Sequence, residues 1–108
     1  MRVQSFSGPS DSGKTTKICA LIRETIANGE RAGAIKHTHH PLNDEDRGDT
    51  GRFRAAGADP VILAGDGEAV VFRGAATERI RFNDPRDLLD QFDGHIVFVE
   101  GFKSYDWS

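Results

Sequence analysis

The sequence of 108 residues predicts an α/β fold, in which helices flank a mainly parallel sheet that carries an added β-hairpin. Strand-like and helix-like segments alternate along most of the chain. Two segments, 60–64 and 96–99, are continuously apolar, which is typical of strands covered on both faces. Two further strand-like segments, 68–73 and 77–82, follow a turn and are separated by only three residues, as in a hairpin.

The first part of the chain predicts a strand, a glycine-rich loop, a helix and a second strand. Residues 2–7 form the first strand, and residues 31–36 form the second. Between them, residues 14–28 have a helical period and end before Gly29, which stops the helix. The apolar positions of this helix are Ile18, Leu21, Ile22 and Ile26.

The middle of the chain predicts a polar, acidic loop at 41–48 and then a short helix. We expect Asp49 to cap this helix, which covers 50–56 and ends at Gly57. A buried strand at 60–64 follows.

The last part predicts the hairpin, one more helix and a final buried strand. The turn at Asp66-Gly67 precedes the hairpin. Asn83 or Asp84 is expected to cap a helix that has Pro85 in its first turn. Its inward side chains are Leu88, Leu89 and Phe92, and the last strand covers 95–99.

The composition is that of one soluble globular domain, 1–108, with no internal repeat. A net charge of −3 provides no basic stripe for nucleic acid. The single Cys19 excludes an internal disulfide, suits a reducing cytoplasm, and is expected to be a small buried hydrophobe. With no signal peptide and no run of 18 apolar residues, we expect a cytoplasmic protein that does not enter a membrane.

Residues 8–15, GPSDSGKT, match the phosphate-binding pattern G-x-x-x-x-G-K-[ST]. Gly8 and Gly13 allow backbone N–H groups to approach phosphate oxygens, and the next helix directs its positive end at the same anion. Lys14 adds a positive charge, and the Thr15 hydroxyl is a Mg²⁺ ligand. The fold is therefore predicted to be a three-layer nucleotide-binding domain of the P-loop NTPase type.

Glu100 follows the apolar residues 96–99, where a carboxylate can hold Mg²⁺ or orient water. The alternative is a solvent-facing strand end. Because ligands bind at the carboxyl ends of parallel strands, residues 8–15, Lys36-His37 and Glu100 are expected to share one rim. Lys103 either approaches that rim or is solvated.

Lys36-His37-Thr38-His39-His40 contains three histidines within four positions. Imidazoles are common transition-metal ligands, but adjacent side chains of an extended segment point to opposite faces. A metal site, a role at the phosphates, and surface or packing histidines all remain open. Arg52 and Arg54 could likewise hold a phosphate or pair with acids of the loop, and pairing is favoured.

Four segments together resemble the molybdopterin-guanine dinucleotide biosynthesis protein B family. They are GPSDSGKTT, AIKHTHH, DRGDTGRFRAAGADPVIL and DGHIVFVEGFK, and they occur in the family's order. The resemblance extends from Ser7 to Lys103. Where the family tends to have Gly-Lys before the aspartate, this chain has Arg47-Gly48. The family also usually continues beyond E-G-F-K with a strand and further residues, whereas the sequence stops at Ser108.

The resemblance implies a cytoplasmic, homodimeric, GTP- and Mg²⁺-binding accessory protein of molybdenum cofactor synthesis. It would assist a guanylyltransferase and be at most a slow GTPase. Thr15, Asp49 and Glu100 would be the metal ligands, with Asp49 and Glu100 as the catalytic acids. The expected nucleotide-binding residues are Gly8, Ser10, Asp11, Ser12, Gly13, Lys14, Thr15, Thr16, Lys36, His37 and His40.

Two other functions fit the residues. A small P-loop kinase would need an acceptor site and a closing lid, and no segment is an obvious lid. A nucleotide-dependent metal chaperone is favoured by the histidine cluster. No N-K-x-D guanine-reading stretch occurs in the sequence.

Overall fold

The computed structural model describes residues 1–9, 12–42 and 48–107. The strands and helices follow one another in the order that the sequence predicts. They are β1 Arg2–Phe6, α1 Lys14–Ala27, β2 Ala32–His37, α2 Gly48–Ala56, β3 Val61–Ala64, β4 Glu68–Arg73, β5 Ala76–Arg81, a 3-10 helix Pro85–Gln91, and β6 Ile96–Glu100.

The six strands form one sheet in the order β1-β6-β2-β3-β4-β5. The first four strands of this order are parallel, and the β4–β5 hairpin extends the sheet in antiparallel fashion. The predicted α/β class, the mainly parallel sheet and the added hairpin are confirmed.

Each face of the sheet is covered by a different layer. Helices α1 and α2 pack on one face, where alternate strand residues such as Ala34 and Phe98 join their core cluster. The other face packs against the 3-10 helix and the C-terminal segment, with Ile35 and Val99 in that second cluster. Because successive strand residues point to opposite faces, this alternation also determines where the polar residues at the strand ends project.

Asp49 does not cap α2 as predicted, because the helix begins at Gly48, two residues before the predicted start at Thr50, and so includes Asp49. Its carboxylate is instead engaged by the ammonium group of Lys36, at 2.9 Å. A second correction concerns the helix after the hairpin, which is wound as a 3-10 helix. Asp84 caps it, with its side chain accepting from the Arg86 N–H and its own N–H donating to Asp87.

Cys19, a residue of α1, is buried in the core, and burial is the main cause that raises the pKa of its thiol. The thiol therefore stays protonated, as expected of a packing residue. Among the described residues, no helix has both the length and the apolar character needed to cross a membrane.

Candidate functional site

The loop after β1 presents the amino end of α1 to solvent. Gly13 is the residue before the helix and has φ of 85°, a left-handed conformation that glycine adopts without steric cost. Since Gly13 has no side chain, it leaves the first N–H groups of α1 open to an anion. Gly8 also has positive φ, at 145°. Ser10 and Asp11, expected to bind phosphate, lie outside the described residues.

Lys14 lies over its own loop. Its ammonium nitrogen donates to the carbonyl oxygens of Gly8, at 2.7 Å, and Pro9, at 3.0 Å. These two contacts hold the positive charge beside the open N–H groups of the helix. An anion bound there would meet both kinds of donor.

A cavity of about 540 Å³ opens at this end of α1, and we call it the first cavity. Its walls come from the glycine loop, from the ends of β2 and β6, and from α2. The lining residues are Ser12, Gly13, Lys14, Thr15, Thr16, Lys36, His40, Asp49, Arg52 and Glu100.

A four-membered polar network forms the floor of the first cavity. The Lys36 ammonium contacts the Glu100 carboxylate and lies 2.9 Å from Asp49. The Thr15 hydroxyl donates to Oε1 of Glu100 at 2.6 Å. Only 3% of the Glu100 side chain is exposed, so its charge depends on these two partners.

Strand register explains why this network forms. Lys36 of β2 is the direct neighbour of Glu100 of β6. Both residues continue the alternation of the side chains that face α1 and α2, so both project toward these helices. There they meet Thr15 from α1 and Asp49 from α2.

The charges of Lys36 and Asp49 stabilise each other. Burial alone would raise the pKa of Asp49, but hydrogen bonding and attraction to Lys36, with smaller effects of Thr15 and Arg52, hold it below its ordinary value. Burial alone would lower the pKa of Lys36, and its hydrogen bonds to Glu100 and Asp49 raise it instead. Both groups therefore remain charged at neutral pH.

The two arginines of α2 have separate positions. Arg52 donates to the Thr16 hydroxyl at 3.0 Å and lines the first cavity, where it adds a third cation to Lys14 and Lys36. Arg54 donates to the Gly74 carbonyl at the hairpin turn and lies over the ring of Phe72.

The histidines of 37–40 divide between two cavities. His40 lines the first cavity with Lys36. His37 points to the opposite face of the sheet, because it follows Lys36 directly in β2. There it borders a second cavity of about 580 Å³, whose walls include His39, Phe102, Lys103 and Tyr105. Lys14, Lys36 and Glu100 line both cavities, so the two adjoin.

The structure adds two residues that the sequence analysis did not assign to any site. The Asp66 carboxylate lies 3.0 Å from Nε2 of His37, and the ring of Phe102 stacks on that imidazole. Asp66 can be placed beside His37 only once the strand register is known, because His37 pairs with Ala64, two residues before Asp66. For Phe102, with φ of 51°, the sequence carries no signal.

The donor set of the first cavity fits a magnesium-bound polyphosphate. Thr15, Asp49 and Glu100 supply oxygen atoms, which are the ligands that Mg²⁺ prefers. Lys14, Arg52 and the N–H groups of α1 supply positive charge and donors for phosphate oxygens.

Known proteins resemble this chain over most of its length. A molybdopterin-guanine dinucleotide biosynthesis adapter protein of Haemophilus influenzae is 40% identical, over 91% of this chain and 55% of its own. The adapter protein of the same description from Escherichia coli is 34% identical, over 92% of this chain and 58% of its own. The chain thus spans little more than half the length of these curated relatives.

A solved structure and a family comparison agree with these relatives. The crystal structure of Bacillus subtilis MobB superposes with a TM-score of 0.62, at 23% identity, over 99% of this chain and 64% of that chain, which supports the fold. Residues 3–107 match the family described as molybdopterin guanine dinucleotide synthesis protein B. The chain therefore belongs to the MobB family.

Proposed function

We propose that this chain binds the triphosphate of GTP, with Mg²⁺, in the first cavity, and that it serves as an accessory protein in molybdenum cofactor biosynthesis. In this role it would assist a guanylyltransferase without performing the transfer, and it would hydrolyse GTP slowly at most.

The observation that carries the proposal is the convergence on one cavity of the open end of α1, the Lys14 ammonium, and the acidic pair Asp49 and Glu100. Phosphate groups need many donors at once, which the helix end and Lys14 supply. A cation beside those phosphates needs oxygen ligands, which Thr15 and the two acids supply.

The Lys36 ammonium group occupies the place that a metal ion would take. It contacts both acids and is therefore the cation between them in the structure. When bound, Mg²⁺ would neutralise phosphate charge and orient the oxygens around it. Thr15, Asp49 and Glu100 would hold the ion, and Lys36 would then be free to turn toward the phosphates.

The accessory role is supported by the relatives, which are described as adapter proteins of molybdopterin-guanine dinucleotide biosynthesis. The composition of the first cavity agrees with slow hydrolysis. Its described lining includes no glutamine that could position an attacking water, and Arg52 is directed at Thr16.

The partner is tested with the purified guanylyltransferase of the same source, by measuring molybdopterin guanine dinucleotide formation at limiting GTP. We expect this chain to increase the rate, and Lys14→Ala to remove the increase without unfolding the protein. An equal rate with the chain, with the Lys14→Ala variant and with neither would contradict the accessory role.

A further inference from the structure

We propose that His37, His39 and Asp66 form a binding site for a transition-metal ion such as Zn²⁺, separate from the magnesium ligands of the first cavity. The site lies at the end of β2 and the β3–β4 turn, beside the second cavity.

The three side chains are already close together. Their ligand atoms all lie within 4.8 Å of one another, and Nε2 of His37 is 3.0 Å from Oδ1 of Asp66. The His37 and His39 rings lie 4.8 Å apart between centroids, at an angle of 68°. Because they are two positions apart, the two histidines can share one side of the chain, whereas His40 lines the first cavity.

His37 is held in place by residues that follow β6. The Phe102 ring stacks on its imidazole, with centroids 4.0 Å apart and an angle of 6° between planes. Gly101 lies against it so closely that a Cβ there would be 2.8 Å from the His37 Cβ. With its ring fixed and its side chain only 11% exposed, His37 provides a rigid anchor to which His39 and Asp66 can adjust.

The distances suit a small tetrahedral ion after a modest adjustment. Metal–ligand bonds of about 2.0–2.1 Å in a tetrahedron place neighbouring ligand atoms about 3.3 Å apart. The His37–Asp66 pair is already near that value, and both His39 and Asp66 are exposed, so they can close the remaining gap. Water would complete the coordination.

The ligand types favour a transition metal over Mg²⁺. Imidazole nitrogen suits Zn²⁺, Ni²⁺ and Cu²⁺, whereas Mg²⁺ takes oxygen ligands in octahedral geometry. The two adjoining sites would therefore select different ions, with Mg²⁺ held by Thr15, Asp49 and Glu100.

The Phe102 amide provides a specific reporter of metal binding. In the structure its N–H lies 3.4 Å from Nδ1 of His37 and donates to it, so the imidazole proton is on Nε2, facing Asp66. A metal on Nε2 would move that proton to Nδ1, which then no longer accepts from Phe102. The Phe102 amide resonance should therefore shift.

The test is a calorimetric titration of the nucleotide-free protein with Zn²⁺ in the presence of excess Mg²⁺. We expect one ion to bind with micromolar affinity and the Phe102 amide resonance to move. His39→Ala and Asp66→Asn should each weaken binding by about tenfold or more, a loss at least as large as that from removing an outer-shell partner. The neighbouring His40→Ala, as the matched control, should leave Zn²⁺ affinity unchanged.

Three results would overturn the proposal. They are the absence of Zn²⁺ binding, equal Zn²⁺ affinity in His39→Ala, Asp66→Asn and the unsubstituted chain, and displacement of Zn²⁺ by the excess Mg²⁺. Because both ligand positions are exposed, their substitution should leave the fold intact, which circular dichroism checks. The outcome is independent of the proposed nucleotide site, since no nucleotide is present.

Discussion

Replacing Lys36 by methionine tests how much the ion pair of Lys36 and Glu100, at the floor of the first cavity, contributes to stability. The substitution removes the ammonium group that contacts Glu100 and Asp49 and keeps a long apolar side chain. Among the described side chains, Glu100, 3% exposed, would then keep the Thr15 hydroxyl as its one hydrogen-bond partner. Breaking a buried pair by removing one member costs about 3–5 kcal/mol, and we expect the lower value because Thr15 remains.

The measured quantity is the free energy of unfolding from urea titration, with the slope m compared between variants. A loss of about 3 kcal/mol is a large share of the 5–15 kcal/mol typical of a domain. At about 4–8 °C per kcal/mol, Tm should fall by more than about 10 °C. The exposed Lys103→Met, as a matched control, should change the unfolding free energy by less than about 0.5 kcal/mol.

A second substitution separates the stability lost with the ion pair from the stability lost through poorer packing. Adding Glu100→Gln to Lys36→Met replaces the unpaired charge by a neutral amide, and it should recover about 1 kcal/mol or more as a coupling energy. Mg²⁺ should also raise the Tm of Lys36→Met more than that of the unsubstituted protein, because it can replace the missing cation between Asp49 and Glu100. Additive losses without any coupling, or a Lys36→Met variant as stable as the control, would refute the reasoning.

Three further predictions concern pH, magnesium and the nucleotide. Since the pKa of Lys36 is raised and that of Asp49 is lowered, their contribution to stability is lost only as pH rises through the folded pKa of Lys36 or falls through that of Asp49. Lys36→Met together with Glu100→Gln leaves no unpaired carboxylate at position 100. The stability difference between this double variant and the unsubstituted chain should therefore be constant from about pH 5 to 9, and a change near neutrality in urea titrations would contradict it. Glu100→Gln should weaken the Mg²⁺ dependence of GTP binding in calorimetry and leave the metal-free GTP affinity nearly unchanged. If the Mg²⁺ titrations of the variant and the unsubstituted chain were identical, Glu100 would have no role in binding Mg²⁺. GTP should be preferred over ATP by less than about tenfold, or about 1.4 kcal/mol, and a thousandfold preference in competition would reveal a base pocket.

The order of elements could be predicted because the apolar patterns in this chain are strong. The period of α1 and the buried strands β3 and β6 have few alternative interpretations. The wrong predictions concern local features. Aspartate is a residue type common at helix caps, but Asp49 is paired with Lys36, a partner that only the folded chain brings near.

The 3-10 helix also depends on tertiary contacts. Pattern alone indicates a helix capped by Asn83 or Asp84, and the structure shows Asp84 as the cap, with a capping box. The chain leaves the helix at Phe92, whose ring packs against Gly33 so closely that a Cβ at that glycine would overlap it. A short, tightly wound segment fits that position.

The site was partly predictable for a related reason. The rim at the carboxyl ends of the strands follows from parallel topology, which brings the glycine loop, Lys36 and Glu100 together. The separation of His37 from Lys36 follows from alternation once β2 is known to be a central strand. The proximity of Asp66 to His37 requires the register of β2 against β3, which no local pattern provides.

Binding of Mg²⁺-GTP to Lys14→Ala is the most direct test of the proposed triphosphate site. Among the described residues, Lys14 donates to the loop carbonyls of Gly8 and Pro9, so the variant should fold normally, as thermal unfolding can verify. The matched control is Lys17→Ala, which removes another lysine of α1, one that lies over the ring of Phe6 in β1. A charge-assisted hydrogen bond is worth about 1.5–3 kcal/mol, so Lys14→Ala should weaken calorimetric affinity by about ten- to a hundredfold, and Lys17→Ala should not. Equal affinity of Lys14→Ala and the unsubstituted chain would contradict the placement of the triphosphate at this loop.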